Sequence, residues 1–195
     1  MRNVDFHYVF RALLGAPTEC GDTGIIKLDH GRCFLGLVDV LGHGGHAYEV
    51  ACLAHDYLDQ HFTDDLVGLM QGLHEHLRGT QGAVAAFCWL DINTGDLAYA
   101  GIGNITARIL GPRAFKMVSR DGVIGYRIPS VKGQKYNFYP GDILVMHSDG
   151  VREHFNTLDC TSLLSGTAET IAKGVLEKFG KQDDDASCIA MRFLP

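Results

Sequence analysis

Long apolar runs are missing from this sequence: no stretch reaches the roughly 20 residues that a bilayer-crossing helix requires, so a membrane partner is not expected. An excess of basic charge is missing too. The 17 Lys and Arg stand against 23 Asp and Glu, for a formal charge of −6, which leaves no electrostatic footprint for nucleic acid or an anionic membrane. No C-x-x-C pair occurs among Cys20, Cys33, Cys52, Cys88, Cys160 and Cys188. Scattered and mostly set in apolar segments, these cysteines read as reduced, buried thiols of a cytoplasmic protein, not as a disulfide framework or a zinc site. The first ten residues carry Asp5 and His7 and have no small-residue cleavage site, which excludes a signal peptide reading. Internal repeats, low-complexity tracts and Pro/Ser/Gly-rich linkers are likewise missing. With 195 residues, 46% of them hydrophobic, one domain over residues 1–195 with one sizeable core is expected.

What is present is a succession of short apolar runs divided by turn residues. Strands are expected over Phe6–Leu14, Gly24–Leu28, Cys33–Val38, Val84–Asp91, Asp96–Ile102, Ile105–Leu110, Ile143–Ser148 and Ser187–Phe193. Asn93-Thr94-Gly95 and Gly103-Asn104 have the length and composition of hairpin loops, which predicts an antiparallel meander in the middle of the chain. Between Gly45 and Gly79 the period lengthens: Ala47, Val50, Ala51, Ala54, Tyr57 and Leu58, then Leu66, Leu69, Met70, Leu73 and Leu77, recur at helical spacing. A third helix is expected over Thr167–Phe179, where Ile171, Val175 and Phe179 share a face. The pattern predicts an α+β fold of face-to-face sheets with helices outside.

Aspartates stand where several of these runs stop. Asp39 follows Phe34-Leu35-Gly36-Leu37-Val38, Asp149 follows the 143–148 run, and Asp183-Asp184-Asp185 precede the last strand. An ionised carboxylate at the edge of a core needs a compensating partner. Each of these alone is ordinary turn chemistry; together with Asp22 they point to a divalent-metal site, because converging carboxylates repel unless a cation neutralises them. Oxygen-rich ligation favours Mg²⁺ or Mn²⁺ over zinc. Spacing and periodicity carry the reading no further.

Gly42-His43-Gly44-Gly45-His46 opens the first helix, where backbone N–H groups can face an anion. It lacks the Gly-Lys-Ser/Thr ending of a nucleotide-binding loop, so a Walker-type NTPase is excluded. Without a His-Glu-x-x-His pattern or cysteine ligands nearby, His43 and His46 read as polar residues at a helix start. His74 and His76, two apart on a helix, read as surface residues pointing in different directions.

Five elements of the chain occur in an order that resembles a known family. They are Gly21-Asp22, Val38-Asp39-Val40-Leu41-Gly42-His43-Gly44, Ala100-Gly101-Ile102-Gly103-Asn104, His147-Ser148-Asp149-Gly150-Val151 and Asp184-Asp185-Ala186-Ser187. In sequence order they resemble the metal-dependent PPM phosphatases, the protein phosphatase 2C-type superfamily, in the compact bacterial branch that regulates alternative sigma factors. Small size and the Gln81-Gly82-Ala83 approach to the hairpin look most like the stressosome phosphatases of that branch. The resemblance implies an α-β-β-α sandwich with two antiparallel sheets flanked by helices. It also implies a protein serine/threonine phosphatase that uses two Mn²⁺ or Mg²⁺ ions to dephosphorylate STAS-domain stressosome proteins.

Carried over residue by residue, Asp39 would bridge two metals, Asp149 and Asp184 would complete the first, and Asp22 with the Val40 carbonyl would serve the second. Three consecutive aspartates leave the last ligand open by one position, and the alignment of Ala186-Ser187 with the element's end selects Asp184. The sequence departs from the larger eukaryotic members: no N-terminal arginine is placed to clamp phosphate, and Leu41 stands where they have histidine. His43 is then the candidate proton donor by proximity. Residues 122–134 replace a long flap and imply an open site suited to a folded protein substrate. Two other readings are a docking pseudophosphatase that does no chemistry and a hydrolase of small phosphoesters. No amphipathic stretch is left over for an obligate interface, so a monomer is expected.

Overall fold

Alternation along the strands fixes the layers in this computed structural model, which describes residues 3–111, 113–153 and 164–194. The elements are β1 (Asn3–Arg11), a 3-10 turn (Pro17–Glu19), β2 (Asp22–Asp29), β3 (Arg32–Val40), α1 (Gly45–His61), α2 (Leu66–His76), β4 (Ala83–Asp91) and β5 (Asp96–Ile102). They continue with β6 (Thr106–Leu110), β7 (Phe115–Lys116), β8 (Gln134–Asn137), β9 (Ile143–His147), α3 (Ala168–Phe179) and β10 (Ala186–Leu194). Two antiparallel five-stranded sheets result, ordered β1-β10-β9-β6-β7 and β2-β3-β4-β5-β8.

In β3, Cys33, Leu35 and Leu37 face the opposing sheet and pack with Ile109, Leu144, Met146, Ile189 and Met191. The intervening Phe34, Val38 and Val40 face α1 and α2, packing on Ala51, Leu58, Met70 and Leu73. The other sheet repeats the arrangement, with Val145, Cys188 and Ala190 turned outward onto Ile171 and Val175 of α3. Strands buried on both faces read as continuous apolar runs, which explains why β3, β4 and β10 stand out in the sequence. The four layers form an α-β-β-α sandwich. Among the described residues, no helix is long and apolar enough to cross a membrane.

Several expected boundaries shift. β1 runs over Asn3–Arg11 instead of Phe6–Leu14, because Leu13 donates its backbone N–H to Asp185 Oδ1 (2.7 Å) and so leaves the ladder. The short strands β7 and β8 and the 3-10 turn carry no alternating apolar signal and were not expected. The central meander also divides. β4 and β5 form the predicted hairpin, with Asp91 Oδ1 accepting from the N–H groups of Asn93 (2.9 Å) and Thr94 (3.2 Å). β5 and β6, however, belong to different sheets. Gly103, at φ +91°, turns the chain from one sheet to the other, and its N–H donates to the Arg120 carbonyl (2.8 Å) instead of closing a hairpin. Gly103-Asn104 is therefore a crossing point between sheets.

Of the six cysteines, Cys20, Cys33, Cys88 and Cys188 are buried and Cys52 is half-buried, all of them free thiols; Cys160 lies outside the described residues. Desolvation pushes the Cys20 and Cys33 thiols up to about 12, which keeps them protonated and unreactive.

Candidate active site

The crossing at Gly103 and the strand ends bring residues from both sheets to one end of the sandwich. There an open cavity of about 470 Å³ is lined by Asp39, Val40, Gly42, Gly103, Asn104, Asp121, Asp149 and Asp184, among others. Asp39 comes from the end of β3, Asp149 from the turn after β9 and Asp184 from the approach to β10. Three of the sequence-predicted carboxylates and the Val40 backbone therefore meet in one place.

Asp22 is placed differently. It opens β2 directly across from Asp39 in the ladder, but is buried and lines a separate cavity with Tyr8, Cys20 and His55 instead of this one. Ser148 joins the sheets at this point: its Oγ donates to Asp22 Oδ2 (2.6 Å) and accepts from the Ser187 N–H (3.0 Å). The other Asp22 oxygen, Oδ1, is buried without a hydrogen-bond partner, and an orphaned carboxylate oxygen of this kind is costly unless a cation or water meets it.

The three consecutive aspartates separate by function. Asp183 is exposed and Asp184 lines the cavity. Asp185 is buried and turns the other way, accepting from the N–H groups of Leu13 and Gly21, each at 2.7 Å. Asp185 thus ties the N-terminal segment to the sheet end, and its own N–H donates to Asp184 Oδ1 (2.9 Å). Glycine after Asp149 is demanded by this packing, since a Cβ on Gly150 would sit 1.8 Å from the Asp185 carbonyl oxygen.

Electrostatics follow from the crowding. Burial pushes the Asp39 carboxyl well above the usual carboxylate range, with further upward pressure from Asp22, Asp149 and Asp184. Asp22 is pushed up to about 6 by burial, against the stabilising hydrogen bond from Ser148. Asp184 is raised by burial and by Asp149. The cavity lining includes four aspartates and, among the described residues, no Lys, Arg or His. Such a surface repels a phosphate group as it stands and attracts a hard divalent cation. Among the described residues, no three His, Cys, Asp or Glu side chains converge tightly enough to cage an ion as they stand. The donor set is nonetheless all-oxygen, which suits Mg²⁺ or Mn²⁺.

His43 and His46 are exposed at the start of α1, and His43 does not line the cavity. Its candidacy as proton donor on proximity has no geometric support. His74 corrects the expectation of a surface residue: it is buried, and its Nδ1 accepts from the Gly125 N–H (3.0 Å), stapling the loop that bears Asp121 to α2. His76 is exposed. Two contributors were missed from sequence. Asp121, followed by glycine, has only the signature of a turn. Asn104 closes the Ala100–Asn104 element without a sequence signal of its own; its Nδ2 donates to Asp149 Oδ2 (2.8 Å) and so orients that carboxylate.

Residues 29–194 match the family described as Stage II sporulation protein E (SpoIIE). A structure reported as "The bacterial stressosome: a modular system that has been adapted to control secondary messenger signaling" is 33% identical, with 97% of this chain and 100% of that chain covered and a TM-score of 0.89. RsbX, solved in complex with magnesium, is 19% identical over 99% of this chain and 100% of its own, at a TM-score of 0.83. The PP2C phosphatase domain of SpoIIE from Bacillus subtilis, solved with a fragment of its regulatory domain, is 18% identical, covering 99% of this chain and 62% of that one at a TM-score of 0.75. The comparison with curated proteins finds no match.

Proposed function

The chain belongs to the SpoIIE family of PP2C-type serine phosphatases, and from that premise we propose that it is a metal-dependent phosphatase of phosphoserine or phosphothreonine in STAS-type stressosome proteins. The observation that carries this reading is that Asp39, Asp149 and Asp184 line one open cavity which, among the described residues, has no Lys, Arg or His in its lining. The 33% identical relative reported under the bacterial stressosome supports the substrate class.

In this reading Asp39, Asp149 and Asp184 would hold one divalent ion, and Asp39, Asp22 and the Val40 carbonyl would hold a second. Bound Mg²⁺ or Mn²⁺ would supply positive charge and an acidified water at neutral pH. Asp39 and Asp184, both held above the usual range, give up their protons to make the site, so occupancy and activity rise with pH. Asn104 holds Asp149 in place, and Ser148 holds Asp22 toward Asp39 across the ladder. The open mouth leaves the departing serine or threonine oxygen in contact with solvent, which can supply its proton. His43, outside the lining, is not retained as the donor.

The test is phosphate release from a phosphorylated STAS-domain protein and from p-nitrophenyl phosphate, with Mn²⁺, Mg²⁺ or chelator. Chelator-sensitive release from the phosphoprotein is expected. Release from the small ester alone would leave the enzyme class standing and remove the substrate assignment. No turnover with either metal, alongside binding of the phosphoprotein, would replace the enzyme with a docking module.

A further inference from the structure

The active-site cavity shares part of its wall with a neighbour. A second open cavity of about 320 Å³ begins at the same two residues, Gly103 and Asn104, and continues past Ile105 along Lys116, Met117, Val118 and Ser119. We propose that this groove receives the segment flanking the phosphorylated residue of a protein substrate, with Val118 taking an apolar side chain and Lys116 an acidic one. This inference rests on the phosphatase reading above and names the part of the surface that selects the substrate.

Continuity is the first argument. A phosphorylated side chain in the aspartate-lined cavity leaves its main chain at the cavity mouth, and the groove adjoins that cavity at Gly103 and Asn104. At this shared wall the Asn104 amide is already committed to Asp149.

Rigidity is the second argument. The Ser119 hydroxyl is hydrogen-bonded to Tyr99 Oη (2.8 Å), the Val118 carbonyl accepts from Gln134 Nε2 (2.6 Å), and the Met117 N–H donates to the Ala107 carbonyl (2.8 Å). A wall fixed before binding costs little to order on binding.

Chemistry is the third. Val118 is 66% exposed on this rigid wall, an apolar side chain held in water beside an acidic cavity. Lys116 supplies a cation where the main cavity has none among its described lining residues. It is paired with Glu153, but both side chains are about half exposed. A surface pair of that kind contributes little, so an incoming carboxylate can take the place of Glu153 at small cost.

Val118→Asp and Lys116→Glu would be compared with the parent protein on a phosphorylated STAS-domain protein and on p-nitrophenyl phosphate, with Mn²⁺. Each is expected to lower kcat/KM on the phosphoprotein by about tenfold or more, mainly through KM, and to leave the small ester within about twofold. Lys116→Arg is expected to retain most of the phosphoprotein activity. Phosphoprotein turnover that is unchanged, or that falls in step with the small ester, overturns the groove assignment while the phosphatase reading stands. A parent protein that turns over neither substrate overturns both.

Discussion

Asp39 and its neighbours separate two kinds of aspartate that look alike in the sequence. Asp39, Asp149 and Asp184 face one cavity, whereas Asp185 accepts two backbone N–H groups and serves the fold. Asp184→Asn is expected to lower turnover by about two to three orders of magnitude, and Asp183→Asn, altering an exposed residue, to leave it within about twofold. Asp185→Ala should instead destabilise the protein by about 1–3 kcal/mol, because two N–H donors lose their acceptor; thermal melts of the three variants beside their activity would check the division. The sign of the Asp22 effect can be read from its environment. Burial pushes its carboxyl up to about 6 from an ordinary 3.8, so the metal-free protein carries the full penalty of an ionised Asp22 above pH 6 and sheds it as pH falls toward 3.8. Buried His147, pushed down to about 4, acts in the opposite sense below pH 6.5, so the contrast must be made between proteins. Metal-free Asp22→Asn is expected to melt above the parent at pH 7, with the difference gone near pH 4. The carboxylates were legible because they interrupt apolar runs. Asp121 was not, since Asp-Gly in a loop looks the same whether or not the fold brings it to a cavity.

At the scale of elements, β3, β4, β9 and β10 could be read because burial on both faces makes them uninterrupted apolar runs, and α1, α2 and α3 because each has an apolar stripe. The destination of β6 could not. A two-residue loop with glycine predicts a hairpin, and only the pairing of β6 with β9, Ala107 opposite Met146 and Ile109 opposite Leu144, assigns the strand to the opposite sheet. That crossing places Asn104 between the two sheets and beside Asp149. Gly103→Ala is expected to disturb activity as well as stability, since a side chain there adopts an unfavourable positive φ and its Cβ would sit 2.1 Å from Val84 Cγ1. His74 was misread for a related reason. Two histidines two apart do face different ways, but the loop that covers one of them is set by tertiary contact. His74→Ala removes the acceptor for the Gly125 N–H and should loosen the Asp121 loop. Faster amide exchange confined to residues 121–127 would report this, and unchanged exchange there would show that the staple does not hold the loop.

For the whole molecule, family membership and the sandwich follow from independent lines: the ordered motifs, the two sheets with helices outside, and the match over residues 29–194. The catalytic assignment rests on one claim, that an all-oxygen cavity of mutually repelling aspartates at the sandwich end is a divalent-cation site. The measurement that tests it most directly is calorimetric titration of Mn²⁺ into the purified protein at pH 7, beside Asp39→Asn. Saturable binding in the parent, weakening as pH falls and lost or strongly diminished in Asp39→Asn, is the predicted result. Absence of saturable binding in the parent, or undiminished binding in Asp39→Asn, would contradict the account.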